Sequence, residues 1–215
     1  MGVKERRERE KEELRHRILT AAMEVIARDG HEALTIRKLA NRIEYSPRTI
    51  YLYFADKEAL LEDVVEEGFR RTLAIRARRG GADSAAGSDT GAQDDRRELG
   101  SPEETVAARI RAHVAAAFKE PNIYRAVISV IFARDYAPGE AQRAVIAQTR
   151  REIAELIREP NPDAPRLDLP TMTLFASVRA FTLSLLNRGD TTDERTREEM
   201  VTRFIRFITA GLKAA

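Results

Sequence analysis

Thr35-Ile36-Arg37-Lys38-Leu39-Ala40-Asn41-Arg42-Ile43-Glu44-Tyr45-Ser46-Pro47-Arg48-Thr49-Ile50-Tyr51-Leu52-Tyr53-Phe54-Ala55-Asp56-Lys57 is the stretch that decides how this chain is read. Thr35 suits a helix N-cap, and Leu39, Ala40 and Ile43 follow it as one apolar face. Ser46-Pro47 restarts the helix: serine caps, and proline fits the first helical position, where its missing N–H would be an orphan anyway. Ile50 and Phe54, four apart, form the core-facing pair of this second helix. Arg48, Thr49, Tyr51 and Tyr53 are left over, and their chemistry suits DNA better than a buried core. Two short helices joined by a tight turn make a helix-turn-helix, whose second helix enters the major groove while the first crosses the backbone.

The flanking sequence supports this layout. Leu14, Ile18, Ala21, Ala22 and Val25 keep helical spacing until Gly30, a residue able to take the left-handed conformation that ends a helix. Asp56 caps a further helix whose stripe is Leu60, Leu61, Val64, Val65 and Phe69. Ahead of these elements, Lys4 to Glu13 interleaves basic and acidic residues. That run reads as a solvated helix extension, its acids weakening any hold on phosphates.

Bulk composition narrows the remaining classes. Of 215 residues, 43% are hydrophobic and 33% charged, enough apolar material for a core. Net charge is only +2, so any positive surface must be local. Between Thr35 and Lys57, five basic residues (Arg37, Lys38, Arg42, Arg48, Lys57) stand against Glu44 and Asp56. Cysteine is absent, which excludes disulfides, thiolate catalysis and cysteine-held zinc. His16, His31 and His113 lack ligand spacing, so no metal and no cofactor is expected. The start of the chain lacks the apolar stretch of a secretory signal. Thr171 to Asn187, interrupted by Arg179, falls short of a ~18–20-residue apolar membrane span. A cytoplasmic protein with no membrane partner is expected.

Leu14 to Leu61 resembles the DNA-binding segment of the tetracycline-repressor (TetR) family of bacterial regulators. The resemblance rests on the Gly30 stop, the Leu34-Thr35-Ile36-Arg37-Lys38-Leu39-Ala40 entry, the Ser46 to Phe54 recognition helix and Asp56-Lys57-Glu58-Ala59-Leu60-Leu61. It implies that Tyr51, Tyr53 and Lys57 hold DNA phosphates and that Arg37, Pro47, Arg48 and Thr49 face base edges. With Thr35, Ile36 and Ser46 these make up the candidate DNA surface. One departure is the turn, where Glu44 stands at the family's usual glycine; this implies a strained or altered turn and puts an acid near DNA.

The roles also follow from chemistry. Arginine can give bidentate hydrogen bonds to guanine O6 and N7, worth ~1–3 kcal/mol of discrimination. Tyrosine hydroxyls and the Lys57 ammonium fix register on phosphates without reading sequence.

After Arg79 the composition changes. Gly80 to Ser101, rich in Gly, Ala, Ser and Asp and without aromatics, is expected to be a flexible linker. The implied division is a DNA-binding domain over 10–57, a connecting helix over 58–79, the linker over 80–101, and a helical effector and dimerisation domain over 102–215. Val106, Ile110, Val114 and Phe118 mark a helix beginning at Pro102. The apolar run Ala126 to Phe132 fits buried strand or buried helix by periodicity alone; its helical surroundings favour helix. Further helices are expected over 139–158, 171–187 and 192–212, for an all-α fold of about nine helices.

The 171–187 segment is apolar over most of its circumference, which calls for burial on more than one side. A second subunit is one partner able to supply this. Phe175, Val178, Phe181 and Leu185, with Phe204, Ile205, Ile208 and Leu212 of the last helix, are the candidate interface of an isologous homodimer. Phe118, Tyr124, Phe132, Tyr136 and Phe175 are candidate walls of an effector pocket, with Arg179 as polar anchor. The resulting expectation is a repressor of a palindromic double-stranded operator, released when a small-molecule effector tilts the connecting helix. Two alternatives stand beside it: an architectural DNA-binding factor without effector, and a helical enzyme, for which the sequence offers no catalytic constellation.

Overall fold

The computed structural model describes residues 3–83, 100–133, 138–188 and 193–214. Among them every regular element is helical: α1 (Val3–Asp29), α2 (Ile36–Arg42), α3 (Pro47–Tyr51), α4 (Lys57–Asp83), α5 (Pro102–Lys119), α6 (Pro121–Ala133), α7 (Glu140–Ile157), α8 (Asp168–Asn187) and α9 (Glu194–Ala214). The chain is therefore all-α, as the periodicities imply. The expected linker overlaps α4, which runs through Gly80 to Asp83; residues 84–99 lie outside the described residues.

Two compact units result, Met1–Arg71 with Glu120–Gly139, and Thr72–Lys119 with Glu140–Ala215. In the first, Gly30 ends α1 with φ 84° and donates its N–H to the Ile26 carbonyl at 2.9 Å. Ile18, Leu19, Ala22, Val25 and Ile26 of α1 meet Leu34, Leu39, Ala40, Ile50 and Phe54 in one core. Leu60, Leu61, Val64 and Val65 of α4 close it. Each of these side chains removed from water contributes ~1.5–3 kcal/mol, so the short α2 and α3 are held by packing, not by helix propensity.

Helix α6 belongs to this core through Ala126, Val127 and Val130, and it packs extensively on α1. The ambiguous apolar run is helical because it wraps a helix and offers no strand partner. Its contact with α4 depends on Gly68, where an added Cβ would stand 2.2 Å from Val127 Cγ2. Valine is stiff at χ1 and cannot turn aside freely. Gly68→Ala is therefore expected to lose ~1–3 kcal/mol to overpacking despite its gain in helix propensity. Val127→Ala should restore the loss in the double variant, measured by urea unfolding.

The second unit packs α5, α7, α8 and α9 around Ile110, Ile153, Leu167, Leu174, Leu185 and Ile205. A capping box starts α5: the Glu104 N–H reaches Ser101 Oγ at 3.3 Å, and Glu104 Oε2 accepts from the Ser101 N–H at 2.6 Å. Helix α8 begins at Asp168, directly after a 3-10 turn at Pro165–Leu167 and earlier than the expected Thr171. Pro170 is tolerated there because the first helical turn needs no intrahelical N–H. By length and composition Pro165–Asn187 would suffice to cross a bilayer, with a mean hydropathy of 1.4. The stretch is thus more apolar than the sequence reading allowed. Its Leu174, Val178, Thr182 and Leu185 are nonetheless buried within this unit, which accounts for one side of the helix.

Candidate nucleic-acid interface

The reading head is fixed by its caps. Thr35 Oγ1 accepts from the Lys38 N–H at 3.1 Å, and Ser46 Oγ accepts from the Thr49 N–H at 3.2 Å. Ser46 Oγ also lies 2.9 Å from Thr49 Oγ1, tying the hydroxyl of a candidate base-reading residue to the helix start. The Leu39, Ala40 and Ile50 side chains anchor α2 and α3 from below and are fully buried. Asp56 Oδ1 caps α4 by accepting from the Ala59 N–H at 2.7 Å, which sets Lys57 at the first position of that helix.

The turn between α2 and α3 carries the strain implied by its sequence. Glu44 adopts φ 61°, the left-handed region, at the position where glycine would be at ease. The turn still closes, with the Tyr45 N–H on the Ala40 carbonyl at 2.9 Å. Tyr45 is 37% exposed and lies under the Arg17 guanidinium, 5.6 Å from the ring centroid. Glu44→Gly should remove ~1 kcal/mol of left-handed strain, partly offset by the greater entropy of the unfolded glycine chain. It also deletes a negative charge beside the candidate DNA surface. The expected result is tighter operator binding with stability equal or higher, checked by titration and thermal unfolding of the same preparations.

Charges around the head sort into used and available. Lys38 and Arg28 both hold Asp29, Lys38 at 2.7 Å and Arg28 at 2.8 Å, and Arg42 holds Glu24 at 2.6 Å. Hydrogen bonds from Arg28 and then Lys38 keep the Asp29 carboxyl well below the usual carboxylate range. The stability this cluster supplies is present above the ordinary aspartate pKa of 3.8 and is lost as pH falls further into acid. Arg37 and Arg48, by contrast, are exposed and have no ion pair among the described residues. They are the side chains open to an external acceptor.

The candidate DNA residues do not all share one environment. Thr35, Arg37, Ser46, Pro47 and Arg48 are exposed, Tyr51 is 54% exposed, and Thr49 is half-buried at the surface. Tyr53 is half-buried against the core, leaving its ring as packing. Lys57 is half-buried and donates to the Glu32 carbonyl at 3.4 Å. Ile36 is only 9% exposed and belongs to the core, so it supports the surface from beneath. The sequence reading passed over Leu52, which is 73% exposed at the end of α3. An apolar residue at that place has no packing reason and could meet a thymine methyl.

The candidates of the second half are dispersed. Phe175 and Arg179 share a cavity of about 40 Å³ with Arg109, Ile110, His113, Val145, Thr149, Leu174 and Val178. The Arg179 guanidinium lies 5.2 Å from the Phe175 ring centroid. Phe118 instead sits under Arg197, 4.4 Å away, lining a different depression. Tyr124 and Phe132 are on α6 in the first unit, and Tyr136 lies outside the described residues.

The candidate dimer residues divide between the core and the surface. Val178, Leu185, Ile205, Ile208 and Leu212 are buried in the core of their own unit. Phe175 is half-buried at the cavity, and Phe181 stacks on Phe204 with ring centroids 4.1 Å apart. The outward stripe carries Leu169, Met172, Ala176 and Ala180 on α8, and Phe207, Ala210 and Gly211 on α9. Among the described residues no group of three or more His, Asp or Glu side chains is placed to hold a metal ion.

Residues 18–64 match the family of bacterial regulatory proteins, tetR family, a span covering α2, α3 and the packed parts of α1 and α4. No curated protein matches the chain in sequence. Solved structures similar in fold include Mycobacterium smegmatis BioQ, at 18% identity and TM-score 0.59, covering 92% of this chain and 96% of that one. A structure of BioQ with its natural double-stranded DNA operator is similar at 18% identity and TM-score 0.59, covering 94% and 98%. The Bacillus subtilis transcriptional regulator FadR, solved in complex with stearoyl-CoA, is similar at 17% identity and TM-score 0.63, covering 91% and 98%. At such identities these structures speak for the fold, and the head speaks for the lineage. Through its helix-turn-helix, capped and packed as described, the head over residues 18–64 matches the tetR family of bacterial regulatory proteins, and the whole chain shares its fold with solved regulators.

Proposed function

We propose that this protein is a homodimeric repressor that reads a palindromic operator and is released by a small-molecule effector. The carrying observation is Arg48, exposed and without an ion pair among the described residues, at the second position of α3, beside a Ser46 cap that fixes the helix start. A helix presented by its amino end, with arginine foremost, fits major-groove readout. BioQ, similar in fold, is known with its DNA operator. In this reading residues 10–57 bind DNA, α4 connects, and 102–215 supply effector and dimer contacts.

The outward stripe of α8 and α9 is the proposed dimer face. Leu169, Met172 and Phe207 are 74%, 68% and 76% exposed, and the small Ala176, Ala180, Ala210 and Gly211 would let backbones approach. The effector site is the cavity behind Phe175. Arg109, already held by Glu152, stands there with His113 and Arg179 against Ile110, Val145, Leu174 and Val178, which suits an apolar molecule with a polar head. Stearoyl-CoA, the ligand in the FadR structure, has that chemistry. A volume near 40 Å³ holds little more than water, so an effector must part α8 from α5 and α7.

Selection of bound fragments from random duplex DNA tests the reading. The expected product is a pseudo-palindrome with half-sites about 10–10.5 bp apart or a multiple of that. Enrichment without any sequence preference would favour the architectural alternative, and no binding to any duplex would revive the helical enzyme.

A further inference from the structure

The amino-terminal turns of α1 carry a feature that the reading head does not use. Lys4 to Glu13 are helical and exposed throughout, beyond the last core residues of the helix. At 100° per residue Lys4, Arg7, Lys11 and Arg15 fall on one face, and Glu5, Glu8 and Glu12 on the neighbouring one. Arg7, Lys11 and Arg15 are spaced four apart, an arrangement of like charges that destabilises a helix on its own. The other cations of this run are engaged: Arg6 pairs with Glu10 at 3.4 Å, and Arg9 reaches the Glu5 carbonyl at 3.4 Å. Among the described residues Lys4, Arg7 and Lys11 have no ion pair.

The register of α1 against α4 shows where this face points. Arg15 is ion-paired with Asp63, His16 lies 4.0 Å from Glu67, and Thr20 accepts from Arg71 at 3.4 Å. Residue numbers rise together, so the two helices run in the same direction. Arg15 also stands over the Phe54 ring, 5.5 Å from its centroid, at the end of the recognition segment. The offsets of these pairs put Lys57, the first residue of α4, about level with residues 6 to 9 of α1. The first described turn of α1, with Lys4, therefore extends roughly 3–7 Å past the amino end of α4 at a rise of 1.5 Å per residue, and Arg7 and Lys11 follow beside that end. That end is the side on which Lys57 is proposed to meet phosphate.

We infer that Lys4, Arg7 and Lys11 form a second DNA-binding surface, a helical arm lying along backbone phosphates that flank each operator half-site. The surface continues the proposed interface of the head and so rests on that reading. It carries no base-specific donor geometry and adds affinity without sequence information.

The test compares salt titrations of wild-type protein and a Lys4→Ala/Arg7→Ala/Lys11→Ala variant. Two duplexes are used, one ending at the selected operator and one extended by about ten base pairs on each side. Alanine keeps the helix, which circular dichroism verifies. On the extended duplex the variant should bind about ten-fold more weakly, with a salt slope shallower by about 2–3 per head. On the truncated duplex the two proteins should be nearly alike. Equal slopes on the extended duplex would overturn the inference. So would an equal loss from Arg6→Ala/Arg9→Ala on the opposite face, which would mark a bulk charge effect. An Arg48→Ala control separates the layers, because failure of wild-type binding or of that control indicts the head and not the arm.

Discussion

Arg48→Ala should abolish the preference for operator over random DNA while leaving weak, salt-sensitive binding to any duplex. One bidentate arginine–guanine pair discriminates by ~1–3 kcal/mol, and the proposed dimer carries two, so ~2–6 kcal/mol of specificity is at stake. Lys57→Ala should act differently, weakening all duplexes alike and flattening the salt slope by ~1 per head. Competition titrations with operator and scrambled DNA measure both. Arg48 is suited to this role because it is exposed and without an ion pair among the described residues, whereas Lys38 and Arg42, equally basic in sequence, are held by Asp29 and Glu24.

The second large effect lies in the effector unit. The Arg109 guanidinium grips Glu152 through both Nε and Nη2, and Gln148 donates to the same carboxylate at 3.1 Å. The two side chains are 12% and 7% exposed, so neither charge has water to fall back on. Removing one partner strands the other, a change that costs ~3–5 kcal/mol. Arg109→Met or Glu152→Met alone should therefore lower the urea midpoint steeply, while the double variant should recover most of the stability. A double-mutant cycle showing additive losses would mean that the pair is solvated in solution. Because Arg109 also lines the cavity, the double variant should keep its DNA affinity yet respond differently to an effector, since the cavity wall has changed.

The head was legible in the sequence because its signals are local. Gly30, Thr35, Ser46, Pro47 and Asp56 act through backbone groups within four residues, and each takes the terminal position its chemistry favours. Even the Glu44 strain could be read, since a residue with a Cβ stood where the chain needs a positive φ. What periodicity could not supply was which of two apolar faces stays inside. On α8 the bulky Leu174, Val178 and Leu185 turned inward, leaving Leu169 and Met172 outside, a choice made by α5, α7 and α9 and not by α8. The same limit explains Ile36, which neighbours Arg37 in sequence but lies on the buried side of α2. Helix α6 shows a longer-range version. Its sequence follows α5, yet Ala126, Val127 and Val130 pack with α1, and only the fold reveals why Gly68 must stay small.

The most direct test of the central claim, that the outer edge of α3 reads bases in the major groove, uses 7-deazaguanine in the selected operator. Replacing N7 of each half-site guanine in turn removes an acceptor that only a major-groove donor would use. Wild-type protein should lose ~1–3 kcal/mol of affinity at one guanine per half-site, and Arg48→Ala should be indifferent to the same replacement. If no guanine matters to the wild type, or if both proteins lose equally, α3 does not read the groove through Arg48 and the account fails.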